Sequence, residues 1–318
     1  MGSVLQRVDA VEPHPNHPGA GLHGVLCHRS CAVRTRRDSM KTLVTGSTGK
    51  VGAAVVEALA IAGQEVRAAS RSPENVAAID GVEVVRFDYA DPATFAESLK
   101  DVDRVFLMEP QPAVGPADEV MLPMLEAAMQ RECKIVLLSS ASVILQQEPL
   151  SRVEEVVQKA ARWVIVRANW FMDNFHTWWA EPIKYNGILP LPAGDALTPF
   201  IDARDVGAAA AAALMREDIN GKVFQLTGPE ALRYDDAAAV LGQAIQSEVR
   251  YVPMEDDEFA KTLSQAGLPE EYVAYILSLF RVTRTGRLSQ PTRDFERLTG
   301  KTPRSLREYA ADYREMWQ

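Results

Sequence analysis

Residues 42–59 read TLVTGSTGKVGAAVVEAL. An apolar run enters a turn with glycines at 46, 49 and 52, and a helical pattern leaves it. Gly46 lets the chain turn sharply after a strand. Gly49 removes a side chain where a phosphate must come close, and Gly52 lets the helix pack tightly on the sheet. A phosphate at this turn would meet the free N–H groups and positive dipole end of the helix. A glycine triplet alone is a weak signal. Here it follows a strand, opens a helix and begins a βαβ unit, the setting of a dinucleotide site.

The rhythm continues outward. Apolar runs at 65–69, 83–87, 104–108, 134–139 and 163–167 read as further buried strands. Helical spacing fills 51–62, 92–99, 117–131 and 149–161 between them. Alternating strand and helix predicts an α/β fold, a doubly wound parallel (Rossmann) sheet covered on both faces. After Arg167 the rhythm changes: aromatics crowd 170–179, TPFIDARDV runs a short strand into an Ala-rich helix, and 255–318 reads as helical and charged. The expected division is a dinucleotide domain over 40–168 and a smaller α/β substrate subdomain over 169–318, intertwined with the first.

Residues 1–39 lack periodicity and hold Cys27, Cys31 and four of the five histidines. A metal site from His23, Cys27, His28 and Cys31 lacks two well-separated ligand pairs, so no metal is expected. A disordered tail or an upstream start codon reads better, with the fold beginning at Met40. The net charge of -9 argues against nucleic acid as a partner. No apolar run is long enough to span a bilayer. Three cysteines make no disulfide framework, which points to a reducing cytoplasm.

The second strand, EVRAASRSP, decides between dinucleotides. An NAD site wants an acid at this strand's end for the ribose hydroxyls. This strand offers Ser70, Arg71 and Ser72 instead. Arginine pairs bidentately with a 2′-phosphate, which points to NADP(H); the other reading of Arg71 is a solvated surface arginine. Asp88 and Tyr89 end the third strand, where ligands bind. Asp91 before PATFAESL suits a helix cap.

These residues, with VLLSSAS, WVIVRANWFMDNF, FIDARDV and LTGPEALRYDDAAAVL, resemble the NmrA-like group of atypical short-chain dehydrogenases from Met40 to Trp317. FAKTLSQAGLPEEYV and TGKTPRSLREYAADYREMW make the C-terminal half similar to the ergot-alkaloid-type reductases, the agroclavine dehydrogenase and festuclavine synthase kind. The resemblance implies that Gly46, Ser47, Thr48, Gly49, Lys50 and Val51 hold the pyrophosphate and Arg71 the 2′-phosphate. It implies that Asp88 and Tyr89 border the adenine, that Met108, Glu109 and Pro110 flank the ribose, and that Ser139 and Ser140 approach the nicotinamide.

The chain departs from ordinary short-chain dehydrogenases at one point. None of its eight tyrosines has a lysine four residues later, so the pair that protonates a nascent alkoxide is absent. Three routes remain. The acceptor is an iminium, quinone or conjugated alkene, for which hydride delivery needs mostly positioning. Or another acid serves, with Asp173, His176 and Glu109 as candidates. Or there is no chemistry, and the protein is an NADP(H)-sensing regulator of the NmrA type. Trp170, Phe171, Phe175, Trp178 and Trp179 suit a pocket for a flat substrate, and equally a core. Phe171 and Phe175 fit one helix face, and Trp178 and Trp179 cannot both face inward. The resulting expectation is an NADPH-dependent reductase of a small aromatic or polycyclic molecule in specialised metabolism. Oligomeric state and substrate identity are not written in the sequence.

Overall fold

The computed structural model describes residues 40–76, 78–110, 115–145 and 148–318. The cysteine and histidine readings on residues 1–39 lie outside them. Seven parallel strands form one sheet: β1 (Lys41–Val44), β2 (Glu65–Ser70), β3 (Val82–Arg86), β4 (Arg104–Leu107), β5 (Lys134–Ser140), β6 (Trp163–Ala168) and, after β7 (Ile188–Leu191), β8 (Lys222–Leu226). Their order is β3-β2-β1-β4-β5-β6-β8. The direction of winding reverses between β1 and β4, which opens a crevice at their carboxyl ends.

Apolar residues run continuously through the inner strands because successive side chains face opposite layers. Leu43 joins one buried cluster and Val44 the other; Ile135 and Val136, and Ile165 and Val166, divide in the same way. One layer is supplied by α1 (Lys50–Ile61). The other holds the short α2 (Phe95–Ser98), α3 (Ala117–Gln130) and α4 (Pro149–Val157).

Downstream lie α5 (Ala180–Asn186), α6 (Ala203–Met215), α7 (Tyr234–Ile245), β9 (Arg250–Pro253), α8 (Asp256–Gln265), α9 (Glu270–Arg284), α10 (Asp294–Thr299) and α11 (Leu306–Asp312). Much of this group forms a third buried cluster around the β7–β9 pair. Residue 168 is nevertheless no clean boundary. β8 completes the sheet beside β6, and α6 packs in the α1 layer. Gly207 makes that packing possible, since a Cβ there would lie 2.5 Å from Ala54 Cβ.

Several local expectations need correction. β3 is an edge strand and is largely exposed, not buried on both sides. The 92–99 segment splits into a 3₁₀ turn, capped by Asp91 through Ala93 N at 3.2 Å, followed by α2. The strand expected in TPFI forms only isolated bridges, Phe171 with Ile201 and Thr198 with Leu232. Residues 172–176 form a 3₁₀ turn. With three residues per turn, positions four apart diverge, so Phe171 packs on the sheet-side cluster and Phe175 in the C-terminal one.

Candidate functional site

The crevice at the switch point holds a cavity of about 410 Å³ lined by Gly46, Thr48, Gly49, Ala69, Ser70, Arg71, Ser72, Asn75, Phe87, Asp88, Tyr89, Met108, Glu109 and Pro110. Its floor is the glycine turn. Gly46 has φ +64°, and a Cβ there would lie 2.6 Å from Met108 Sδ. At Gly52 a Cβ would lie 2.1 Å from Gly46 O. The third glycine thus brings the helix against its own entry loop rather than against the sheet. Helix α1 has no side-chain cap and no acid in its first turn, so its leading N–H groups meet no competing carboxylate.

Not every residue expected at the pyrophosphate faces the cavity. Ser47 Oγ donates to Ala69 O at 2.9 Å and fastens the loop to β2. Val51 is core. Lys50 turns away: its Nζ donates to Thr177 Oγ1 at 3.3 Å and lies 4.0 Å from Asp173 Oδ1. Burial lowers its pKa against the raising effect of Asp173.

Along the wall, Asp88 Oδ1 accepts from Ala90 N at 3.0 Å. The buried Tyr89 hydroxyl donates to Met108 O at 3.1 Å and joins the end of β3 to that of β4. Its pKa is raised by burial. No acidic side chain of β2 lines this wall; Ser70, Arg71 and Ser72 do. Asn75 and Phe87 also line it and went unassigned from sequence. Phe87 continues an apolar strand pattern, whereas Asn75 sits in a 3₁₀ turn with no periodic signal.

At the other end, Leu107 pairs with Leu137, so Ser139 and Ser140 leave β5 at the level of Glu109 and Pro110. Ser139 Oγ is buried with no hydrogen-bond partner among the described residues. Burial and then the charge of Glu148 push the Glu109 carboxyl above its ordinary range. Tyr275 of α9 is raised by burial, then by Glu148 and Glu109.

The other two acid candidates have different surroundings. Asp173 is buried and accepts from Ala203 N at 3.0 Å. Burial raises its pKa against that bond and Lys50. His176 hydrogen-bonds through Nδ1 to the Tyr309 hydroxyl and stacks on Tyr313, with ring centroids 4.5 Å apart. Burial, then Lys50, lowers its pKa to about 4. Asp202 caps α6 through Arg204 N at 2.8 Å, and Asp205 pairs with Arg304. Cys133 is buried, and that burial pushes its thiol up to about 11.

The aromatic run divides. Phe175 and Trp179 are core, edge to face at 5.1 Å. Trp170 packs on Phe280 at 4.8 Å and donates through Nε1 to Thr283 Oγ1 at 2.7 Å. None of the five lines the described cavity. Trp178 is 55% exposed and rests on Tyr272 of α9, with ring centroids 5.8 Å apart.

A parallel sheet in this order, with a glycine turn and an uncapped helix at its switch point, defines the Rossmann class, and the lining fits a dinucleotide. The NmrA-like family model matches residues 38–315, and the chain belongs to that family. It is 32% identical over 277 residues to the uncharacterized oxidoreductase YesF of Bacillus subtilis (strain 168), covering 86% of this chain and 96% of that protein. It is 28% identical to the agroclavine dehydrogenase of Claviceps fusiformis, covering 87% and 99%. The NADPH-dependent quinone oxidoreductase QOR2 of Escherichia coli, solved with NADPH, superposes with a TM-score of 0.77 at 23% identity, covering 86% of this chain and 99% of that one. Among the described residues no helix is long and apolar enough to cross a membrane, and no group of side chains suits a metal ion.

Proposed function

We propose that this protein is an NADPH-dependent reductase that transfers hydride directly to a small, flat organic acceptor. The chain is an NAD(P)H-dependent oxidoreductase; its relatives bear oxidoreductase and dehydrogenase names. The observation that carries the cofactor reading is the cavity wall after β2, where Ser70, Arg71 and Ser72 stand in place of an acid. A guanidinium there suits a 2′-phosphate. Gly46, Thr48 and Gly49, with the first N–H groups of α1, would hold the pyrophosphate. Asp88 and Tyr89 would border the adenine, Met108 to Pro110 the ribose, and Ser139 and Ser140 the nicotinamide. The bound dinucleotide supplies the hydride. Exposed Trp178, with Tyr272, would cover one face of the acceptor, while Trp170, Phe171, Phe175 and Trp179 hold the wall behind it. The acceptor class is quinone, conjugated alkene or iminium, in the reducing cytoplasm. The test is anaerobic NADPH oxidation against a panel of quinones, enones and cyclic iminium ions. Sustained turnover of at least one is expected. Tight NADPH binding with no turnover of any would contradict the proposal and favour a cofactor sensor.

A further inference from the structure

Beside the cavity mouth, three side chains form a hydrogen-bonded line. Ser140, the last residue of β5, is half-buried; its Oγ lies 2.6 Å from Ser142 Oγ. Ser142 is 4% exposed, and its Oγ lies 2.8 Å from Glu148 Oε1. The line runs from a reachable hydroxyl through an enclosed one to a carboxyl at the start of α4.

Each hydroxyl owns one proton, so the line has two orders. When Glu148 is ionised it accepts from Ser142, Ser142 accepts from Ser140, and the Ser140 proton is drawn inward. When Glu148 is protonated it donates to Ser142, Ser142 donates to Ser140, and the Ser140 proton is left for an outside acceptor. Burial favours the second order, while the place of Glu148 at the N-cap of α4, in a capping box with Ser151, favours the first, so the two lie close enough to exchange. Burial raises the Glu148 carboxyl, and the charge of Glu154 adds to this against the bond from Ser142. Glu109 faces it from the end of β4 and Tyr275 from α9. Arg167 of β6 is engaged by Glu154 at 2.9 and 2.5 Å. Among the described residues, no ion pair reaches Glu148 or Glu109.

We propose that Glu148, Ser142 and Ser140 form a proton relay in place of the absent tyrosine–lysine pair, serving acceptors that need a proton as well as a hydride. This rests on the reductase reading above. The acceptor carbon gains the hydride of the bound dinucleotide, which is oxidised. The acceptor oxygen or nitrogen takes the Ser140 Oγ proton. Ser140 takes the proton of Ser142, and Ser142 that of Glu148. Glu148 is left as a carboxylate and regains a proton from solvent. Quinones, enones and other conjugated acceptors fit this chemistry; a preformed iminium needs no such proton. Ser140 is the catalytic group, while Ser142 and Glu148 act through it.

The experiment measures kcat against pH for wild type, Glu148→Gln, Glu148→Asp and Ser142→Ala, using the best quinone or enone of the panel. Activity in the wild type should fall as pH rises through the Glu148 ionisation. Glu148→Gln should lower kcat about a hundredfold and abolish that alkaline limb. Glu148→Asp should restore a limb at a displaced pH. Ser142→Ala cuts the line without removing the carboxyl and should show a comparable loss. Independently of turnover, infrared spectra of the cofactor-free protein should show a protonated-carboxyl band that titrates in wild type and is missing in Glu148→Gln. A fall below about tenfold in both Glu148→Gln and Ser142→Ala would overturn the relay, as would an alkaline limb that survives in Glu148→Gln or the lack of that band. A wild type that binds NADPH yet reduces no acceptor would instead overturn the reductase reading, and the relay with it.

Discussion

The cavity mouth and the block that follows β6 both set carboxyls beside tyrosines, half-buried at the mouth and buried in the block, and they differ in whether a cation stands by the carboxyl. In the block, Asp173 is held by Ala203 N and lies near Lys50, and His176 is bonded to Tyr309 and stacked on Tyr313. At the mouth, the charge of Glu148 adds to burial in raising Glu109, both carboxyls add to burial in raising Tyr275, and among the described residues no ion pair reaches either carboxyl. A titratable group beside a crevice is material for chemistry when no opposite charge fixes its ionisation. Where a cation and backbone donors fix it, as at Asp173, the same group holds elements together. On this account the mouth reacts and the block braces.

The largest expected effect separates the adjacent Trp178 and Trp179. Trp179 is buried among Trp170, Phe175, Tyr234 and Phe280. Trp179→Ala should cost about 3–5 kcal/mol of stability, read by denaturant titration. A near-neutral result would mean that this cluster is loosely packed and open to a ligand.

Next comes the cavity. Arg71→Ala should weaken NADPH by roughly 1.5–3 kcal/mol, the worth of a charge-assisted phosphate contact, and NADH much less. Calorimetric titration with both cofactors checks this. Equal weakening would remove Arg71 from phosphate recognition.

A smaller effect concerns pH. The folded pKa of His176 is about 4, below its ordinary 6.5. The unfolded chain therefore binds more protons across that interval, and stability falls as pH drops from about 6.5 toward 4. His176→Gln should remove part of that fall. The check is the difference between wild-type and variant melting temperatures across the interval; identical slopes would show that His176 titrates normally.

The smallest change in stability belongs to Trp178. More than half exposed, its replacement by Ala should alter stability by no more than about 0.5 kcal/mol while raising KM for the acceptor. An unchanged KM would remove Trp178 from the acceptor site.

Legibility followed the range of the interactions involved. The β1–turn–α1 unit was readable because its requirements are local: a left-handed φ at Gly46, alternation in Leu43 and Val44, and an uncapped helix start. The cap at Asp91 was readable for the same reason. The exposure of β3 was not, because an edge strand and an inner strand can carry the same residues. The contact of Lys50 with Thr177, 127 positions away, gave no local sign. Gly207 gave no local sign of its packing on Ala54. Glu148 passed unremarked in QQEPLS, since its bond to Ser142 depends on how β5 and α4 meet.

The central claim is direct hydride transfer at the mouth of the cavity. It is tested most directly by a single turnover with NADPH deuterated at the transferable C4 position and an enone or cyclic iminium acceptor, followed by mass analysis of the product. The account predicts one deuterium on the product carbon and a primary isotope effect on the transfer step. Bound, unoxidised NADPH with no deuterium in any product would contradict it.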